Sequence, residues 1–167
     1  AFIEDGYSVE SPFRSPPTTQ FDGVYNSPGK LWTPRNFGKS DLGVLSVEEA
    51  TWKSSNTVYA GMVNLITPER LAEMAKRLGV KSHLDPRYAL VLGSEEVSVL
   101  DMASAYSTFA DRGEHISPFM IRRVEDSSGN ILFDASTSVK PTRAIDEGVA
   151  DTVNWVLKGA MEHGTGK

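Results

Sequence analysis

A chain of 167 residues is enough for one domain or a large piece of one, and a hydrophobic content of 40% with 14 glycines is ordinary for a globular protein, which excludes disorder and collagen. The absence of cysteine removes disulfide scaffolds, cysteine nucleophiles and thiolate metal sites, without fixing the compartment. A net charge of −5 gives no basic footprint for a phosphate backbone, so nucleic acid is not an expected partner, and no apolar run approaches the ~18 residues of a membrane span.

Residues 1–45 concentrate Pro12, Pro16, Pro17, Pro28 and Pro34 with Gly23, Gly29, Gly38 and Gly43, a composition in which regular helix is hard to build. Phe21, Tyr25, Trp32 and Phe37 argue that this Pro/Gly-rich region is an ordered loop, because aromatics in a solvated linker would forgo their burial. From residue 46 to 167 the pattern is one of capped helices. Ser46 with Glu49 forms a capping box that opens a short helix towards Lys53. A second helical stretch runs from Asn56 to Ile66. Thr67 as N-cap, Pro68 at the first helical position, Leu71, Met74, Ala75 and Leu78 at helical spacing, and Gly79 just past the end mark the clearest helix. Another starts at Ser98, followed three residues later by Asp101, is expected to bury Met102, Tyr106 and Phe109, and stops by Gly113. Apolar runs on either side of Asp126–Asn130 predict a β-hairpin over residues 119–134. A last helix from about Asp146 to Gly164 carries Val149, Val153, Val156, Leu157 and Ala160 on one stripe. The elements add up to a mainly α lobe with one β-hairpin, entered through a Pro-rich loop.

Few residues carry chemistry. His83, His115 and His163 are scattered, with no i, i+4 pair and no carboxylate at ligand spacing, and are expected at the surface; no metal and no cofactor is implied. Glu48-Glu49 and Glu95-Glu96 have the form of an acid and base pair, but the first sits in an opening helical turn where the helix dipole alone favours carboxylates. Gly159 and Gly164 imitate the start of a phosphate loop, yet Thr165 stands where that loop needs lysine. Ser27-Pro28-Gly29-Lys30 matches the S-x-x-K pattern of serine acyl-transfer enzymes, whose lysine must lie one helical turn from the serine, and Gly29 argues against that turn. Ser54-Ser55-Asn56 differs in its position, at the joint between two helices, from which side chains can project into a cleft. On the residues alone, the plain reading is that Ser54 ends one helix and Asn56 caps the next.

The surroundings of that triplet carry more. "KSSNTVYAGMVNLITPERLAEMAKRL", "ALVLGSEEVSVLDMASAYSTFADRG", "PFMIRRVEDSSGNILF" and "VLKGAMEHGTGK" resemble, in order, segments of a penicillin-binding protein transpeptidase domain of the class A, bifunctional type. The opening "AFIEDGYSVESPF" is similar to the stretch just after that family's nucleophile helix. The family lines its cleft with S-x-x-K, whose serine is acylated, with S-x-N, and with K-T-G on a strand. Only the middle motif is present, as Ser54, Ser55 and Asn56; no Lys-Thr-Gly occurs, and Gly164-Thr165-Gly166-Lys167 resembles the segment just before that strand. The resemblance therefore implies a central fragment, the helical lobe of an α/β transpeptidase domain with most of the central sheet missing.

It further implies a catalytic role for Ser54, relaying a proton to the departing D-alanine amine, and a substrate-binding role for Asn56, holding an amide of the stem peptide or of a β-lactam. Ser55 is expected to point away and Lys53 to be solvated. The implied parent is a cell-wall D,D-transpeptidase on the outer face of a bacterial cytoplasmic membrane, anchored by a missing N-terminal helix. Its partners are peptidoglycan stem peptides and β-lactams. The fragment alone is expected to be inactive, with its C-terminal helix stripe exposed or covered by self-association. The alternatives are a serine β-lactamase relative and a non-catalytic helical scaffold in which Ser54 and Asn56 only cap helices.

Overall fold

A computed structural model describes residues 1–166, with Asn26 and Ser27 described through their backbone only. The Pro-rich region is ordered by short antiparallel pairings. Strand β1 (Pro12–Ser15) pairs with β4 (Gly43–Ser46), with Pro12 opposite Ser46 and Ser15 opposite Gly43, while β2 (Tyr25–Ser27) and β3 (Lys30–Leu31) form a small hairpin. A 3-10 turn at Phe37–Lys39 closes the region. Of the aromatics expected to order it, Trp32 is buried, but Tyr25 and Phe37 are exposed, Phe37 almost completely.

Six helices follow among the described residues: α1 (Val47–Trp52), α2 (Asn56–Ile66), α3 (Pro68–Arg77), α4 (Val99–Ala110), α5 (Ala135–Ser138) and α6 (Glu147–His163). Helix α1 opens with the predicted capping box, in which Glu49 N–H donates to Ser46 Oγ and Ser46 N–H to Glu49 Oε2. Thr67 ends α2 and caps α3, its hydroxyl accepting from Arg70 N–H. Gly79, at φ +111°, closes α3 where a Cβ would meet His115 and Ser104. Strands β6 (Arg123–Glu125) and β7 (Ile131–Asp134) are the predicted hairpin, turning on Asp126, whose carboxylate accepts from the Ser128 and Asn130 backbones. Strand β5 (Glu114–His115) pairs with β8 (Thr142–Arg143), a contact that the sequence pattern does not announce. Every sheet among the described residues has two strands.

Helix α2 is the centre of the packing. Val58 and Met62 on one side join Phe2, Leu45, Val47 and Ala50; Ala60 and Val63 on the other join Val24 and Trp32. A helix buried on both sides has nowhere to slide, so its first turn is a fixed point. A third cluster, with Leu78, Val80, Leu84, Ile145 and Ala150, joins α3 to the start of α6.

Two expectations about helix faces change. Met102 and Tyr106 are exposed, and the buried face of α4 is Asp101, Ser104, Ala105 and Thr108. The small, polar face wins because it approaches the end of α3 closely: Thr108 Oγ1 donates to Leu78 O at 3.0 Å, and Asp101 accepts from Ser82 N–H and Oγ at 2.8 and 2.6 Å. The α6 stripe, expected to be exposed or covered by self-association, instead faces α1 and α4 within the chain. Val149, Val153, Val156 and Leu157 line an apolar hollow of about 200 Å³ together with Phe2, Met62, Met74 and Phe109.

Candidate active site

The Ser54–Asn56 segment is the one-turn joint between α1 and α2. Lys53 N–H still donates to Glu49 O, after which Ser54 N–H turns back to Thr51 O at 3.1 Å and Ser55 N–H to Ala50 O at 2.8 Å. This is the reversed pair of bonds that closes a helix through a left-handed residue, a place where glycine is the usual occupant. Here the occupant is Ser54, at φ +52°, with an exposed side chain. The backbone thus holds a β-carbon, and the hydroxyl on it, in a conformation that L-residues avoid.

Ser55 is the cap of α2: its Oγ accepts from Val58 N–H at 3.3 Å and is buried at 1% exposure. The expectation that Asn56 caps this helix is therefore corrected. Asn56 is already the first helical residue, and its Nδ2 donates to Arg35 O at 2.9 Å. Serine, serine and asparagine are all good caps by composition, and only the early reversal at Ser54 decides that the middle one is used. Ser55 points inward, as expected, and Lys53 is exposed.

Ser54, Ser55 and Asn56 line a cleft of about 310 Å³ with Thr51, Tyr59, Val91, Leu92 and Gly93. The last three come from the end of a 3-10 turn at Tyr88–Leu92 and from Gly93 after it. Burial pushes the Tyr59 phenol above its ordinary range, so it stays protonated. It donates to Thr51 Oγ1 at 2.8 Å, since the Thr51 hydroxyl itself donates to Val47 O. No ionisable carboxylate or amine lines the cleft among the described residues. The set can hold amides and pass a proton between neighbours, but a hydroxyl needs an added base to do more. Asn56 also borders a second, open cleft of about 610 Å³ made by Arg35, Asn36, Phe37, Gly38 and Lys39.

Sequence reasoning missed Thr51, Tyr59, Leu92, Gly93 and the Arg35-Asn36 contact. The one-turn spacing of Thr51 from Ser55 and of Tyr59 from Ser55 was the available signal for the first two. Arg35-Asn36 had none, being about 20 residues away in the irregular region, as loop contacts have no period.

The other candidates stay apart from this cleft. Ser27 and Lys30 are opposite each other across the β2–β3 turn, on strands and not on one helical turn. Glu49 is used in its capping box. His83 is exposed beside Asp85, and His163 lies against the Trp52 ring at 5.2 Å between centroids. His115 departs from the surface expectation: it is half-buried, with Nδ1 3.1 Å from Thr108 Oγ1. Gly159 packs under the Trp52 indole, whose Nε1 donates to Val156 O at 3.0 Å, and Thr165 N–H donates to Trp52 O at 3.2 Å. That clasp ties the residues just before Ser54 to the end of α6.

Residues 17–167 match the family model of the penicillin binding protein transpeptidase domain. The chain belongs to this transpeptidase family. Penicillin-binding protein 1A of Aquifex aeolicus is 32% identical over 106 residues, covering 64% of this chain and 14% of that protein. Penicillin-binding protein 1A of Pseudomonas aeruginosa is 28% identical over 151 residues, covering 90% of this chain and 18% of the relative. Among solved structures, PonA1 of Mycobacterium tuberculosis in complex with penicillin V superposes with a TM-score of 0.78 at 26% identity, over 96% of this chain and 44% of that one. Penicillin-binding protein 1A from Haemophilus influenzae, at 22% identity, shares the fold with a TM-score of 0.81 over 99% of this chain and 28% of its own. The chain thus spans less than half of these transpeptidases, and its helix-rich arrangement is that of part of their domain.

Proposed function

We propose that this chain is the central portion of a peptidoglycan D,D-transpeptidase that cross-links cell-wall stem peptides by serine acyl transfer and is acylated by β-lactams in the bacterial cell envelope, on the outer face of the cytoplasmic membrane. In this reading Ser54 relays a proton towards the departing amine, and Asn56 holds an amide of the stem peptide or β-lactam. The observation that carries it is local: in a chain of the transpeptidase family, a serine occupies the left-handed helix end where glycine is usual, exposed in a cleft beside a pinned asparagine. The scaffold alternative loses support, because the capping it would assign to Asn56 is done by Ser55. The acylated serine and its lysine are not among these residues, since the one S-x-x-K match lies across a β-turn and no Lys-Thr-Gly occurs. The isolated chain is accordingly inactive.

Labelling with fluorescent penicillin tests both parts. In the full-length protein that carries this chain, Ser54→Ala is expected to slow acylation by about 10²–10⁴-fold, the effect of losing a placed proton-transfer group. A rate within a few-fold of the parent's, at an unchanged melting temperature, would overturn the assignment. The 167-residue chain alone is expected to give no band that survives denaturation.

A further inference from the structure

Beneath the Ser54–Asn56 turn lies a polar cluster that the proton relay does not use. Asn36, in the irregular stretch after β3, is only 3% exposed, although asparagine is mostly a surface residue. Both ends of its carboxamide are engaged. Nδ2 donates to Ser15 Oγ at 3.0 Å, to Pro16 O at 3.1 Å and to Ser40 O at 3.1 Å. Oδ1 accepts from Thr57 N–H at 3.2 Å, Thr57 Oγ1 at 3.3 Å and Ser55 Oγ at 3.5 Å. Ser15 Oγ closes the cluster, 2.7 Å from Ser55 Oγ and 3.2 Å from Thr57 Oγ1. Ser15, Ser55 and Thr57 are buried, at 0%, 1% and 3% exposure. The residue before Asn36 supplies the remaining contact, the Arg35 carbonyl that receives Asn56 Nδ2.

We infer that Asn36 is the positioning residue of this site, an inference that rests on the transpeptidase reading of Ser54 and Asn56. Its carboxamide grips Ser55 and Thr57, the residues on either side of Asn56, from inside the fold. With Asn36 fixed, the Arg35 carbonyl is fixed too, and it occupies one of the two hydrogens on Asn56 Nδ2. That bond sets which way the Asn56 amide faces and leaves its oxygen and second N–H for a bound amide. Asparagine is the side chain that fits. An aspartate would set a carboxylate against the Pro16 and Ser40 carbonyl oxygens, a glutamine would carry the carboxamide one methylene past these partners, and an alanine would leave buried hydroxyls and carbonyls without partners. Polar networks of this kind hold one geometry when complete, and misplacement by about 1 Å is enough to cost roughly 10²-fold in an oriented reaction.

The test is a double-mutant cycle on penicillin acylation in the full-length protein, with the parent, Asn36→Ala, Asn56→Ala and both together. Asn36→Ala alone is expected to slow acylation by about 10–100-fold. In the Asn56→Ala background the same change is expected to cost no more than about threefold, because its route of action is gone. Equal losses in the two backgrounds, or an Asn36→Ala rate within about threefold of the parent, would overturn the inference. Leu84→Ala, which truncates the cluster around Leu78 and Ile145 away from the turn, is the stability control. It is expected to lower the melting temperature and leave acylation unchanged; a matching loss of acylation would make the Asn36 effect one of stability, and the inference fails. Should Asn36→Ala not fold, Ser15→Ala keeps the carboxamide and removes only the bridging hydroxyl; a smaller loss that vanishes in the Asn56→Ala background supports the inference, and an uncoupled or absent loss overturns it. A parent that takes no label, or is as fast with Ser54→Ala, refutes the transpeptidase reading itself, and this is visible without any Asn36 variant.

Discussion

Ser54 holds a left-handed conformation with a side chain attached, so under the proposed function stability and activity are expected to respond in opposite directions at this one position. Ser54→Gly removes the β-carbon that the conformation penalises and is expected to stabilise the full-length protein by about 0.5–1 kcal/mol, seen as a higher melting temperature. The same variant is expected to acylate as slowly as Ser54→Ala, which keeps the strain and loses only the hydroxyl. A Ser54→Gly protein that melts lower than the parent would show that the serine side chain supports the turn. Residue-scale reading from sequence was good for what lies within one turn and poor beyond it. The place of Ser54 and Asn56 at a helix joint was legible because the flanking helices announce it through Glu49, Ser46 and the apolar period of α2. Which of three cap-forming residues does the capping was not legible, since their side-chain chemistry is equivalent and the backbone reversal chooses among them. The Arg35 carbonyl was further out of reach, for a backbone oxygen in a loop leaves no mark in the residue string.

At the scale of elements, the clasp between α1 and α6 decides how the site meets the end of the chain. Trp52 lies across Gly159 so closely that a β-carbon there would sit 2.5 Å from the indole nitrogen. Gly159→Ala must therefore push the indole aside and break its bond to Val156 O. Overpacking of this kind costs about 1–3 kcal/mol, to be read by thermal melting. Hydrogen exchange is expected to rise at the Thr165 amide, which donates to Trp52 O, while α3 is unaffected. Unchanged exchange at Thr165 would mean that the two helices are held by other contacts. Sequence reasoning placed α6 and its stripe correctly but expected the stripe to be exposed or covered by self-association. A stripe specifies an apolar partner and not its secondary structure, so helices α1 and α4 satisfy it equally well. The face of α4 was misread for a related reason. Met102 and Tyr106 offer more apolar area than Ala105 and Ser104, but close approach to the Leu78–Gly79 corner admits only small side chains, and hydrogen bonds from Ser82 to Asp101 fix the rotation.

Across the whole molecule, the N-terminal segment is held by charge. Glu4 accepts from Arg77 at 2.9 and 2.8 Å and from Arg70 at 2.5 Å, and Arg77 also donates to the Ala144 carbonyl, so one carboxylate links residues 1–7, α3 and the approach to α6. The Arg77 guanidinium beside it holds the Glu4 carboxyl below its ordinary value of 4.5. A carboxyl depressed on folding contributes its stability in full above that ordinary value and loses it as the pH falls through the folded one. Glu4→Gln is thus expected to melt below the parent at neutral pH, with the gap closing as the pH falls below the ordinary value of 4.5 and through the lower folded one. A gap that stays constant over this range would remove the ion pairs from the explanation.

The clasp also has an optical side. The three indoles sit at three depths: Trp32 is buried in the cluster around α2, Trp52 is half-covered by α6, and Trp155 is 54% exposed on the outer face of that helix. A neutral collisional quencher added to the folded protein dims Trp155 first and Trp32 last. Trp52 becomes fully reachable only when α6 lifts away from α1, so the rise of its quenching during mild denaturation dates that separation against the opening of the core. The residue that fastens the joint before Ser54 is in this way also the lamp by which its release can be watched.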